Sequence, residues 1–273
     1  MKSEDFSITF LGTSAASINL YSPTSSSLVE RGDTKILIDA GIGSLKQLRR
    51  AHIDSEEIDV VLITHWHFDH FAGLRALLKS RKTTSPISIY GPKPSVLARM
   101  YLIGLLHSGA IHFEAITENF SKNCGHVHIE PILTAHNIIS CGWALTERVS
   151  GERHRKRRMV ISGDTRPTQT IAYAAEGADL LVHEATYLDK DSDTAYAHDH
   201  STVKEAANVA VRAGTGALAL THIARRYSRL SARNEAEKIF PRVLVPSPLD
   251  KIYIDLLPIG SSKECFGWGH VRM

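Results

Sequence analysis

The chain has 273 residues, 43% of them hydrophobic, and a formal charge of +3. That is enough apolar matter for a sizeable core and excludes a disordered or fibrous chain. The weak positive balance permits a nucleic-acid partner without arguing for one, and no apolar run is long enough to span a membrane.

Strand and helix patterns alternate along both halves of the chain. The acidic start, Met1-Lys2-Ser3-Glu4-Asp5-Phe6, is unlike a signal peptide. Alternating or continuous apolar runs predict strands over Ser7–Leu11, Ser27–Glu30, Lys35–Asp39, Val60–Thr64, Ile87–Tyr90 and Val127–Leu133. Further strands are predicted over Ile138–Thr146, Arg158–Ser162, Leu180–His183, Ala217–Leu220 and Lys251–Leu257. Helical spacing predicts helices over Leu45–Ala51, Gly73–Ser80, Ser95–Leu106, Thr168–Glu176, Thr202–Ala213 and Ala232–Ile239. This alternation is the α/β class, and residues 1–273 read as a single domain without a linker or short repeat. The stretch from Val96 to Leu106 is apolar almost all round, which predicts a buried helix or, if partly exposed, a dimer contact. Cys124, Cys141 and Cys265 have no metal-type spacing and read as free thiols of a cytoplasmic protein.

The chemistry is concentrated in His65-Trp66-His67-Phe68-Asp69-His70, between the apolar strand pattern ending at Thr64 and the helix pattern from Gly73. Three imidazoles and a carboxylate suit zinc, with manganese or iron as alternatives for the same nitrogen and oxygen donors. His65 and His67 are two apart and face one way in an extended segment, while Asp69 and His70 are turned elsewhere. So short a loop serves two metals more readily than one. His136, Asp164 and His222 each follow a strand-like run, and ends of buried strands converge on one edge of a sheet. The expected arrangement is His65, His67 and His136 on one ion, Asp69, His70 and His222 on the other, and Asp164 bridging them.

These motifs resemble the metallo-β-lactamase superfamily, and within it the ribonuclease Z branch. The resemblance runs from Phe10-Leu11-Gly12-Thr13-Ser14 to His222-Ile223-Ala224-Arg225-Arg226-Tyr227 and includes Gly163-Asp164-Thr165, Val182-His183-Glu184-Ala185-Thr186 and His200-Ser201-Thr202. It implies a four-layer αββα sandwich, two zinc ions and a metal-bridged hydroxide attacking a phosphodiester. It implies His200 as general acid, Glu184 as its orienting partner, and Asp69 orienting the hydroxide as well as binding metal. Arg226 and Tyr227 match the family pattern for binding substrate phosphate or terminal bases, and a homodimer is expected. Ser201 and Thr202 taken alone would simply cap the next helix, and Glu184 would be a solvated strand end.

The chain departs from that family at one place. Only 27 residues separate His136 from Asp164, which leaves no room for the long arm that grips transfer RNA. The expected substrate is therefore a tRNA 3′ end or a smaller phosphodiester. The hairpin tip Glu147–Arg157 instead carries Arg153, Arg155, Lys156 and Arg157, with Arg158 beside it, as a solvated or phosphate-contacting basic end. The alternatives are a thioester, lactone or β-lactam hydrolase on the same scaffold, which needs no acid at His200, and a non-catalytic metal- or nucleic-acid-binding scaffold.

Overall fold

The structure is a computed structural model, and residues 5–15, 23–82, 86–107, 109–148, 156–255 and 271–272 are described. The first half of the chain forms β1 (Phe6–Gly12), β2 (Ser26–Arg31), β3 (Thr34–Ile38), β4 (Val60–Leu62), β5 (Ile87–Gly91) and β6 (Ile111–Ala115). Its helices are α1 (Ser44–Arg50), α2 (Phe68–Phe71), α3 (Leu74–Ser80) and α4 (Val96–His107). The second half forms β7 (Lys122–Cys124), β8 (Val127–Leu133), β9 (Cys141–Glu147), β10 (Arg158–Ile161), β11 (Leu180–Glu184), β12 (Ala217–Thr221) and β13 (Val243–Leu244). Its helices are α5 (Gln169–Ala174), α6 (Ser192–Ala197), α7 (Val203–Ala213) and α8 (Arg229–Ala236). β14 (Lys251–Ile254) and β15 (Val271–Arg272) then return to the first sheet. The sheet orders are β15-β14-β1-β2-β3-β4-β5-β6 and β13-β12-β11-β10-β9-β8-β7.

Side-chain alternation places these sheets face to face with helices outside. In β4, Val60 and Leu62 join Phe6, Ile8, Phe10, Trp143, Met159 and Val182 in the core between the sheets. Val61 and Ile63, two residues on, point the other way, against Leu48, Leu74 and Leu77 of α1 and α3. Val160, Leu181 and Leu218 likewise pack on Ala206, Ala207 and Ala210 of α7. Strands buried on both faces give the continuous apolar runs seen in the sequence. α7 starts at a capping box, where the Thr202 hydroxyl accepts from the Glu205 N–H and the Glu205 carboxylate accepts from the Thr202 N–H.

Several elements escape the sequence pattern. β6 and β7 are edge strands packed on part of one face, so they lack a full alternation. α2 and α6 are a single turn or little more. α8 begins three residues before its apolar repeat, because the Ser228 side chain caps it by accepting from the Ser231 N–H. The α4 expectation of a buried helix is corrected. Ala98 and Leu102 are buried, but Val96, Leu97, Met100 and Ile103 are each more than half exposed. Cys124 and Cys141 are free thiols, and Cys265 lies outside the described residues. Among the described residues no helix is long and apolar enough to cross a membrane.

β10 runs parallel to β11 and β12 and antiparallel to β9, and β9 is antiparallel to β8, so β8, β10, β11 and β12 all end on one edge. β3 and β4 are parallel in the other sheet. The opposite end of the sandwich is closed by an ion cluster. Glu147 accepts from Arg157 Nε at 2.7 Å and also from Arg31, while Arg157 Nη1 donates to the Ile254 carbonyl at 2.7 Å. Burial opposes ionisation of Glu147, but the two guanidiniums outweigh it and hold its pKa below the usual range. The basic tip is thereby corrected in part. Arg157 is consumed in this buried cluster, Lys156 is exposed, and Arg153 and Arg155 lie outside the described residues.

Removing Glu147 would strand two cations in a low-dielectric place. Glu147→Ala is expected to lower unfolding stability by about 3–5 kcal/mol, read from the urea midpoint at unchanged m-value.

Candidate metal centre

Every sequence-predicted metal residue arrives at the edge where the strands end. β4 delivers the histidine loop. Trp66 turns into the helix-side core, its Nε1 donating to the Pro92 carbonyl at 2.6 Å, so His65 and His67 are left facing the cleft. Asp69 and His70 ride on α2. His136 follows β8, Asp164 follows β10, and His222 follows β12.

Ligand atoms of His65, His67, His136 and Asp164 lie within 4.8 Å of one another, as do those of Asp69, His70 and His222. These are the two sets expected from the sequence. A tetrahedral zinc with bonds of about 2.0–2.1 Å needs ligand atoms about 3.3–3.4 Å apart. His65 Nε2 is 3.0 Å from His67 Nδ1, and His136 Nε2 is 3.2 Å from the same atom. His222 Nε2 is 3.3 Å from Asp69 Oδ2. Asp164 Oδ2 is 3.6 Å from His65 Nε2 and 3.4 Å from Nε2 of both His70 and His222. One carboxylate therefore faces both sets. His70 Nε2 is buried without a hydrogen-bond partner, as a nitrogen reserved for an ion would be. The residues present fit divalent metal.

Protonation follows the same geometry. Burial, reinforced by the neighbouring imidazoles, pushes the His65 pKa well below its ordinary value. Burial also lowers His67 and His136, so all three offer lone pairs at neutral pH. Burial also opposes charge on His70, but Asp164, Asp39 and Asp69 outweigh it and raise its pKa. Asp69 is held at about 2, since His70 and His222 overcome its desolvation.

The far ring nitrogens of His70, His222 and His136 are anchored, which fixes the orientation of those imidazoles. Asp39 Oδ2 is 2.7 Å from His70 Nδ1, and its Oδ1 accepts from the Thr64 N–H at 2.8 Å. Thr186 Oγ1 is 2.9 Å from His222 Nδ1, and His136 Nδ1 donates to the Asp199 carbonyl at 2.9 Å. Arg166 in turn pairs with Asp199 and stacks 4.1 Å from the Tyr196 ring centroid. Asp39, Asp199 and His222 have positive φ, and such conformations in non-glycine residues gather at functional sites. Gly163 does too, and a Cβ there would meet the Cys141 carbonyl at 2.9 Å. Asp39, Thr186 and Asp199 escape sequence reading. Asp39 shares the strand-end position of the histidines and could have been found by it; the other two act through contacts that no spacing encodes.

Glu184 is buried at the end of β11 rather than solvated. Its carboxylate accepts from the N–H groups of Thr165, Ser201 and Thr186, from the Thr186 hydroxyl, and pairs with His200 Nδ1 at 2.8 Å. Burial pulls the His200 pKa down, but this carboxylate outweighs it and holds it up to about 9. Thr202 caps α7, whereas the Ser201 hydroxyl donates to the Thr165 carbonyl at 2.7 Å and ties the His200 loop to the Asp164 loop. Arg226 is exposed, its guanidinium 5.2 Å from the Tyr187 ring centroid and 4.9 Å from that of Tyr227.

Residues 34–223 match the beta-lactamase superfamily domain. A ribonuclease Z from Myxococcus xanthus is 32% identical, over 81% of this chain and 87% of its own. The chain belongs to the ribonuclease Z family of the beta-lactamase superfamily. Among solved structures, the short form of human tRNase Z superposes with a TM-score of 0.71 at 26% identity, covering 90% of this chain and 98% of that one. The metallo-beta-lactamase fold protein YhfI of Bacillus subtilis superposes with a TM-score of 0.80 at 22% identity, over 91% of this chain and 99% of its own. The ribonuclease Z family assignment and the αββα layering thus agree with what the motifs implied.

Metal added back to chelator-treated protein is expected to stabilise it by about 2.7 kcal/mol once free zinc reaches a hundred times its dissociation constant. His65→Ala and Asp164→Ala should abolish most of that gain and lower the bound zinc measured by plasma mass spectrometry.

Proposed function

We propose that the protein is a metal-dependent phosphodiesterase that cleaves an RNA 3′ end or a smaller phosphodiester, using two zinc ions. His65, His67 and His136 would hold one ion, Asp69, His70 and His222 the other, and Asp164 both. Bound there, the ions supply Lewis acidity to the phosphoryl oxygens and a lowered pKa to coordinated water.

The observation that carries this reading is the His200–Glu184 pair beside the cluster. Ligand atoms of His200, Asp164 and His222 lie within 4.8 Å of one another. A phosphodiester expels an alkoxide, which needs a proton as its bond breaks. His200 is protonated at neutral pH, its Nδ1 is committed to Glu184, and its Nε2 remains to donate to the leaving oxygen. Glu184 is the positioning residue, held by backbone donors on both sides. Asp69 helps hold the ion and orients water. Arg226 and Tyr227 bind substrate phosphate or a terminal base, Arg226 presenting a charge stacked on two rings. An ester, thioester or β-lactam hydrolase has no need of the acid pair. The match to ribonuclease Z relatives supports RNA as substrate. β9 and β10 are joined by only residues 148–157, which favours small or singly gripped substrates over transfer RNA held by an arm.

His200→Ala is expected to lower kcat on a dinucleoside phosphodiester, whose leaving group is an alkoxide, by about 10²–10⁴ with KM changed little, and Glu184→Gln to fall between it and wild type. A panel of that diester, a cyclic nucleotide, a precursor tRNA, a thioester and a β-lactam decides the class. Undiminished diester hydrolysis by His200→Ala, or turnover of the thioester or lactam alone, contradicts the reading.

We further propose a cytoplasmic homodimer assembled through the exposed apolar face of α4. Sedimentation should give twice the chain mass, and Leu97→Asp with Met100→Asp should return the monomer with its circular dichroism intact.

A further inference from the structure

A cavity of about 210 Å³ opens between the end of β1 and the loop after β12. Thr13, Ser14, Arg225, Tyr227 and Arg229 supply its polar lining, over an apolar floor that includes Ile223. It adjoins the metal centre directly: Ser14 bridges to Ile223, the residue after His222. Among the described residues no carboxylate lines it. Asp191, outside the lining, accepts from the Tyr227 hydroxyl. Arg229 is braced by Nη1 donating to the Ser247 hydroxyl at 2.5 Å, which leaves its other N–H groups. Arg225 makes no ion pair among the described residues.

A pocket that offers guanidiniums and hydroxyls and no acid selects an anion, and two arginine forks match phosphate oxygens better than a halide or a single carboxylate. Its volume is several times a water's share of the liquid, about 30 Å³, so it admits a phosphate with part of its sugar against the apolar floor. Arg226 points its charge onto Tyr187 and Tyr227 instead and is not in the lining, so the guanidiniums of Arg225 and Arg229 are additional to it, and Tyr227 stands between the two.

We propose that this cavity is a second phosphate subsite, which takes a phosphate neighbouring the scissile one and makes the enzyme prefer nucleotide substrates carrying more than one phosphate. The proposal rests on the phosphodiesterase reading for its kinetic consequence but not for the binding itself. Two measurements separate them. Chelator-treated protein is titrated with inorganic pyrophosphate in a calorimeter at low salt. Wild type should bind it, and Arg225→Ala with Arg229→Ala should weaken binding at least tenfold, both proteins keeping the same melting temperature. Metal-loaded enzyme is then given a nucleoside 5′-(p-nitrophenyl) phosphodiester with and without a 3′-phosphate. The ratio of kcat/KM between the two should be at least ten for wild type and fall towards one in the double variant, with Arg225→Gln between them. Pyrophosphate binding that is equal in wild type and variant overturns the subsite, and so does a ratio that the substitutions leave unchanged. Absence of any diester hydrolysis would sink the functional reading while the calorimetric result still decides the subsite.

Discussion

Five buried or half-buried imidazoles and two carboxylates crowd one end of this sandwich within a few ångströms of each other, with His200 as a sixth imidazole beside them. Out of water such groups cannot all be charged, and none is cheap to leave unpartnered. The structure answers with a division of protonation states: His65, His67 and His136 pushed towards neutrality, His70 held charged by Asp164, Asp39 and Asp69, and Asp69 held charged by His70 and His222. His65, His67 and His136 already meet what a metal centre requires, since a ligating nitrogen must keep its lone pair, whereas His70 gives up its Nε2 proton to an arriving ion. The folded chain is thus preorganised for cations before any arrive.

Preorganisation rests on the residues behind the ligands. Asp39, Thr186 and the Asp199 carbonyl each grip a histidine by its far nitrogen, and Glu184 is gripped by backbone N–H groups from three loops. These loops are strained at Asp39, Asp199 and His222, which the packed sheets beneath can bear. The far end of the sandwich does the complementary task. There Arg31, Glu147 and Arg157 join the two sheets through a buried charge cluster, which sets how the strand ends of one sheet face those of the other.

The differences from the tRNA-gripping pattern are concentrated on the periphery. The hairpin where an arm would stand is short, and one of its arginines is turned inward to the structural cluster. Positive charge that could meet an anionic substrate sits instead beside the metals, at Arg225, Arg226 and Arg229. A catalytic centre kept whole beneath a changed rim is how one scaffold serves several substrates, because loops tolerate change that a packed core does not.

The sequence by itself determined the α/β class and most of the strands, and it singled out seven candidate ligands that the fold brings to one edge, because each sits at the end of an apolar run and a strand has only one end at a given edge. Its local motifs also pointed to His200 and Glu184, through their resemblance to a known family. Tertiary structure alone decided which ligand atoms meet, that Asp164 faces both sets, that Glu184 is buried and not solvated, that Arg157 is structural, and that α4 keeps an apolar face exposed. The reason is the range of the interactions. Periodicity and caps act over a few residues and leave their mark in spacing, whereas Asp39 meets His70 and Thr186 meets His222 only after two sheets have packed, across 31 and 36 residues of chain.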